Sequence, residues 1–382
     1  MTLNLPETGT FVGRVWNPEA NGPSVVARRG QRLIDITTRD SPTMQELLEI
    51  DDPAAFVQTA SGADIGSLVE VAENSVETPD PGRAYFLAPS DFQPIKACGV
   101  TFVSSMLERV IEEKAKGDPA QANEIRAVCT AILGDSLRNV EPGSEKAMAL
   151  KSALIAKDVW SQYLEVGIGK DAEVFSKSQA LSAVGFGASV GLHPVSRWNN
   201  PEPEIVLAIN SKGVIKGATL GNDVNLRDVE GRSALLLGKA KDNNASCAIG
   251  PMLRLFDDSY SISDVRGAEL TLTVKGPDGF VLNGSSSMSE ISREPEDLVR
   301  QTFGPHHQYP DGFFLMLGTL FAPTQDRDAP GSGFTHKMGD VVEISNPALG
   351  RLLNTVRLST ECPPWTFGTT ALMRNLSARN LI

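Results

Sequence analysis

With 382 residues, 41% of them hydrophobic and 21% charged, the chain is long enough for one large domain plus a smaller one and has an ordinary globular composition. A net charge of −12 without any basic run argues against a nucleic-acid surface, and no stretch approaches the ~20 apolar residues that span a membrane. An anionic substrate must therefore be held by local cations. The N-terminus, Met1 to Glu7, lacks a basic region followed by an apolar one, so no signal peptide is expected. Cys98, Cys129, Cys247 and Cys362 form no C-x-x-C pair, which suits reduced thiols in a cytoplasmic protein.

Residues 11–16, 24–28 and 32–36 alternate as strands do, with turns at Asn21-Gly22-Pro23 and Arg29-Gly30 between them. A helix follows, with Ser41 as its cap, Pro42 at its first position and Glu46 in its first turns. This β-rich module, residues 1–84, carries no visible chemistry, and Thr78-Pro79-Asp80-Pro81-Gly82 leads out of it into a larger domain over 85–382. There, residues 95–102 read as a strand ending in a glycine bend. Helical spacing then begins with Met106/Val110 and Leu107/Ile111. Further helices are expected over 120–133 and over 145–160, the latter with Ser144 as N-cap, and this block reads as an insertion covering one side of the site. Lys177, Gly185, Gly187 and Gly191 fall in a loop. Strands over 268–274 and 280–284 flank a turn at Pro277-Asp278-Gly279. Residues 295–303 read as a short helix, 313–321 as strand or helix, and 341–345 as a strand.

The most informative stretch runs from Asn199 to Asp228. Glu202 and Glu204 are two apart, so on a strand both side chains point to one face. An apolar run through Ile209, a turn at Asn210-Ser211-Lys212-Gly213 and a return through Leu220 make a hairpin. A turn centred on Lys212 puts Glu202 opposite residue 222, and Asp223 beside both glutamates. Bare carboxylates about 4 Å apart repel by roughly 4 kcal/mol at an effective dielectric of 20. A hard cation with oxygen ligands such as Mg²⁺ removes that repulsion.

Glu202-Pro203-Glu204, the run Asn222-Asp223-Val224-Asn225-Leu226-Arg227-Asp228, then Gly238-Lys239-Ala240-Lys241-Asp242 and Ile249-Gly250-Pro251, together resemble the fumarylacetoacetate hydrolase family over about residues 85–350. The resemblance implies an α+β fold, a mixed β-sandwich roll with an acidic Mg²⁺ site (Mn²⁺ a substitute) for 2-keto acids. Glu202, Glu204 and Asp223 would be the metal ligands. Gly339-Asp340 and the strand after it resemble the family's G-D-x-I. The T-G-T-P that usually follows is here only Ile344-Ser345-Asn346-Pro347, which removes a threonine contact. Hydrolytic members carry G-x-N-Y-x-x-H-x-x-E, whose histidine and glutamate activate water. Here Ser105 holds the histidine position and Glu108 the glutamate position. Serine offers no base of useful pKa, so the water-activating dyad is broken. A lone glutamate can still move a carbon-bound proton.

Keeping metal, glutamate and lysine while losing the histidine is similar to the family's bacterial 2-keto-3-deoxy-D-pentonate dehydratases, which give 2-oxoglutarate semialdehyde (2,5-dioxopentanoate) in oxidative pentose catabolism. The implied roles are Glu108 as base and Lys241 steadying the enolate or protonating the departing hydroxyl, with Lys239 a near neighbour. Ser105 and Arg227 would contact substrate. Arg227 suits a carboxylate, and equally a bridge to Asp228 or Glu230 that orients the metal ligands. Glu108 reads alternatively as a solvated helix charge among Arg109, Glu112 and Glu113, and His306 and His307 as loop residues. His193 and His336 carry no motif. The expected partners are the 2-keto acid and further copies of the chain, as homodimer or homotetramer, with no nucleic acid and no membrane. The competing readings are a hydrolase or decarboxylase of a 2,4-diketo acid and a non-catalytic sugar-acid-binding relative.

Overall fold

The computed structural model describes every residue except 1, 117, 119–120, 123–139, 157–159, 322 and 331. The helix expected over 120–133 lies almost wholly outside the described residues.

The central hairpin forms as its pattern requires. Pro203–Ile209 is an uninterrupted buried strand that ends at Asn210, whose side-chain oxygen accepts from the N–H groups of Lys212 and Val214. Gly213, at φ +78°, closes the turn. On the return strand, Ile215–Asp223, Ile215 lies opposite Ile209 but Gly217 opposite Ala208. Lys216 is therefore a bulge that displaces every later pair by one residue. Its ammonium is held by the carbonyls of Ile50 and Asp51, both at 3.0 Å.

This hairpin sits in the middle of a large mixed sheet. Among the described residues the path runs Ala63–Ser67, Arg32–Asp35, Gly22–Arg29, Phe11–Asn17, Cys247–Leu255, Ile215–Asp223, Pro203–Ile209, Phe313–Met316, Ile95–Gly99, Glu173–Ser178. Strands of residues 1–84 thus continue the sheet of the larger segment, through Phe11 opposite Arg254 and Val12 opposite Leu253. A second sheet has the order Val281–Ser287, Glu269–Lys275, Val341–Asn346, Gly350–Leu358, Ser189–Leu192. The fold is α+β.

Alternation along Pro203–Ile209 sorts the core. Ile205, Leu207 and Ile209 share one cluster with Leu272, Val342, Ile344 and Leu352 of the second sheet. Val206 and Ala208 face the other way, against Phe314, Met316 and, beyond them, Met44, Leu47 and Val57 of the helices Met44–Glu49 and Pro53–Thr59. Each fully buried Ile, Leu or Val contributes about 1.5–3 kcal/mol, so the hairpin is held from both faces. The first of these helices is capped by Thr43, which accepts from Glu46 N–H, and not by Ser41; Pro42 stands outside it. A Thr-x-x-Glu pattern carried that signal.

A helical block covers the end of the hairpin that bears the carboxylates. The strand Ile95–Gly99 stops short of residue 102, Val100 turns the chain at φ +57°, and helix Val103–Lys114 begins. Met106, Val110 and Ile111 of that helix pack with Leu154, Leu164 and Trp198. Helix Glu145–Ala156 starts where expected, with Ser144 Oγ accepting from Ala147 N–H. Residues 295–302 are helical, as the sequence suggested, and within 313–321, which the sequence left open between strand and helix, Phe313–Met316 form a strand. Among the described residues no helix is long and apolar enough to cross a membrane.

Candidate active site

The Lys216 bulge decides which residues meet. The unbulged hairpin aligns Glu202 with Asn222; the bulge aligns it with Asp223, whose N–H donates to the Glu202 carbonyl at 3.0 Å, while Glu204 lies opposite Gly221. Carboxylate oxygens of Glu202, Glu204 and Asp223 come within 4.8 Å of one another, and all three side chains are buried.

Three cations close on this triad. Lys241, on the short helix Leu237–Lys241, donates to Glu202 Oε2 at 2.6 Å and to Asp223 Oδ2 at 3.0 Å. Lys239, two residues earlier, is exposed and makes no contact with the triad among the described residues. Lys177 lies in strand Glu173–Ser178 and not in a loop; its ammonium is 2.7 Å from Asp223 Oδ1 and donates to the carbonyls of Val224 and Lys241. Arg109 spans Glu202 and Glu112, both at 2.7 Å, and Glu230 at 3.0 Å. No spacing pattern flags Lys177 or Arg109, because both arrive from elements remote in sequence.

Arg227 is anchored in the wall of the same cavity. It stacks 4.2 Å over the Trp198 ring and pairs with Glu112 at 2.6 Å and Glu108 at 3.1 Å. Its expected partners lie elsewhere: Asp228 accepts from Ser196 Oγ and Arg197 N–H, and Glu230 is taken by Arg109. Glu108 and Ser105 both line the cavity, although the Ser105 hydroxyl donates back to the Phe102 carbonyl at 2.9 Å. Glu204 accepts from Gly318 N–H at 2.7 Å, and Gly318 sits at φ +91° with no room for a Cβ beside Thr101. None of the four histidines lines the cavity; His306 and His307 are exposed, and His336 is buried against Asp340.

Burial, with Asp223 and Glu202 alongside, holds the Glu204 carboxyl well above the usual carboxylate range. Burial also opposes the charge on Asp223, but Lys177 and Lys241 outweigh it and keep that group low. Burial pushes Glu230 up to about 7 against the pull of Arg109 and Lys241. Glu173, whose carboxylate lies across Gly99 where a Cβ would meet it at 2.0 Å, is likewise raised by burial. Lys177, Lys241, Arg109 and Arg227 meet a larger group of carboxyls, Glu108, Glu112, Glu173, Glu202, Glu204, Asp223 and Glu230. The cluster is short of positive charge, and its oxygen-only donor set is what a hard divalent cation takes. The residues present fit Mg²⁺.

The mixed-sheet roll and carboxylate-bearing hairpin define the class. Residues 204–357 match the family described as fumarylacetoacetate (FAA) hydrolase C-terminal. A Haloferax volcanii protein, "Probable 2-keto-3-deoxyxylonate dehydratase", is 30% identical over 194 residues, 51% of this chain and 63% of the relative. The Saccharolobus solfataricus 2-dehydro-3-deoxy-D-arabinonate dehydratase is 29% identical over 185 residues, 48% of this chain and 58% of the relative. The matches thus span about three fifths of these curated relatives, at 63% and 58%. A solved structure of 2-keto-3-deoxy-D-arabinonate dehydratase complexed with magnesium and 2,5-dioxopentanoate superposes with a TM-score of 0.63 at 19% identity, covering 91% of this chain and 99% of the other.

Proposed function

We propose that this chain is a Mg²⁺-dependent dehydratase that converts 2-keto-3-deoxy-D-pentonate to 2,5-dioxopentanoate. One observation carries the reading: the cavity holds the carboxylate triad, Lys241 and Glu108, and no histidine. Glu202, Glu204 and Asp223 would hold the metal, which when bound would supply Lewis acidity toward the 2-keto group and so acidify the C3 hydrogens. The two curated dehydratase relatives support the substrate class.

Glu108 removes a proton from C3, and the C–H electron pair becomes the C2–C3 double bond of an enolate. Lys241 and Arg109, fixed by Glu202, keep positive charge beside the oxygen that gains negative charge. The enolate electrons return to form C3=C4 as the C4 hydroxyl leaves, protonated by Lys241 to water. One proton then leaves C5 and one leaves its hydroxyl, while C3 and C4 each gain one, which gives the aldehyde. Hydrolysis of a C–C bond would need an activated water, and no histidine reaches the cavity to make one.

The test is a product assay with 2-keto-3-deoxy-D-pentonate and Mg²⁺ in deuterated water. A five-carbon dicarbonyl carrying solvent deuterium at the reprotonated carbons is expected. Pyruvate with a two-carbon aldehyde would replace dehydration by aldol cleavage, and fast hydrolysis of a 2,4-diketo acid would restore the hydrolase reading.

A further inference from the structure

The alternation that gathers the triad continues beyond it. Glu204 lies opposite Gly221 and Glu202 opposite Asp223; the next pair is Asn200 opposite Asn225, then Trp198 beside Arg227. Asn200 and Asn225 exchange backbone hydrogen bonds of 3.1 and 3.0 Å, so the ladder is intact there. Both residues line the cavity and are buried, at 2% and 0% exposure. Asn200 Nδ2 donates to the Pro201 carbonyl at 2.9 Å. Asn200 Oδ1 and both polar atoms of Asn225 have no partner among the described residues.

A buried polar group left unpaired costs about 1–3 kcal/mol. Two adjacent amides left so in the wall of one cavity are donors and acceptors held for a ligand. We propose that the Asn200–Asn225 pair is the subsite for the terminal hydroxyl of the bound 2-keto acid, an assignment that rests on the function proposed above. A strand rises 3.3–3.4 Å per residue, so this pair stands about 7 Å from Glu202 and Asp223. A ligand with its keto-acid end at the triad presents its far end here. An alcohol both donates and accepts, which matches the free Oδ1 and Nδ2 atoms. A second carboxylate does not suit the place. The amides are neutral, and the next cation, Arg227, is already engaged by Glu112 and Glu108.

Two probes without a C4 hydroxyl cannot lose water and so report binding alone: 2-oxopentanoate and 5-hydroxy-2-oxopentanoate. Calorimetry on the full chain with saturating Mg²⁺ should show wild type binding the hydroxylated probe about ten-fold more tightly or better. Asn225→Leu, which keeps the volume and removes the polar atoms, should erase that preference and bind 2-oxopentanoate as wild type does. Equal affinity of wild type for the two probes overturns the subsite, and so does a variant that weakens both in parallel. If the variant does not fold, the wild-type comparison decides. Wild type that binds 2-oxopentanoate but ignores the hydroxyl removes the subsite alone. Wild type that binds neither probe removes the keto-acid function and the subsite together.

Discussion

Lys177 Nζ lies 2.7 Å from Asp223 Oδ1, with neither side chain open to solvent. The lysine also donates to the backbone on either side of the triad, at Val224 and Lys241. It therefore does two things: it neutralises one carboxylate and ties the hairpin to the segment that carries Lys241.

Replacing that lysine should be felt as stability before it is felt as chemistry. Lys177→Met takes one of two ammonium partners from Asp223, which keeps Lys241, and one donor from each of two carbonyls. Breaking a buried pair from one side costs about 3–5 kcal/mol, an upper bound here because Lys241 remains. Denaturant unfolding in chelator should register most of that loss, and Mg²⁺ should restore part of it by taking over the charge on Asp223. Wild-type unfolding in chelator would show that the contact holds nothing.

Activity should disappear in chelator and return with Mg²⁺, and Glu204→Gln should weaken Mg²⁺ binding while leaving the fold intact. The raised pKa of Glu204 adds a sign. Its proton must leave when a cation binds, so Mg²⁺ affinity should rise with pH and binding should release protons. Calorimetry in buffers of different ionisation enthalpy measures that release. Full turnover by a demonstrably metal-free sample would defeat the metal assignment.

Glu108→Gln should retain Mg²⁺ and substrate binding yet lose about 10²–10⁴-fold in turnover, the usual contribution of a general base. Glu173→Gln is the informative partner, since the Glu173 carboxylate lies against Gly99, which lines the cavity. A steep loss only in the Glu173 variant would transfer the base role to that residue.

The metal-free chain should weaken as pH rises toward neutrality. Folded Glu230 keeps its proton to about 7, against a usual 4.5. Between those values the folded state binds more protons than the unfolded one, so raising pH favours unfolding. The contribution is complete below the unfolded pKa and gone above the folded one, on the order of 3 kcal/mol in all. Comparing melting temperatures of wild type and Glu230→Gln across that window in chelator should show a flatter slope in the variant. Parallel slopes would place the titration elsewhere.

Much of the site is visible in sequence because it is local. Glu202 and Glu204 share a face by strand alternation, and a turn at Lys212 brings Asp223 to within one residue of its partner. The last residue of register was not visible, because a bulge at Lys216 is fixed by carbonyls of Ile50 and Asp51, far away in the chain. Lys241 could be read from its motif, yet only the turn of a short helix sets it apart from Lys239, burying one lysine and exposing the other. Arg227 was legible as a site residue but not as the partner of Glu108 and Glu112, since those carboxylates lie on a helix more than a hundred residues earlier. Lys177 and Arg109 carry no pattern at all. Periodicity and spacing act over a few residues and determine which side chains share a face. Neutralising a buried charge draws on whatever cation the packing brings near, and only the tertiary structure decides which one that is.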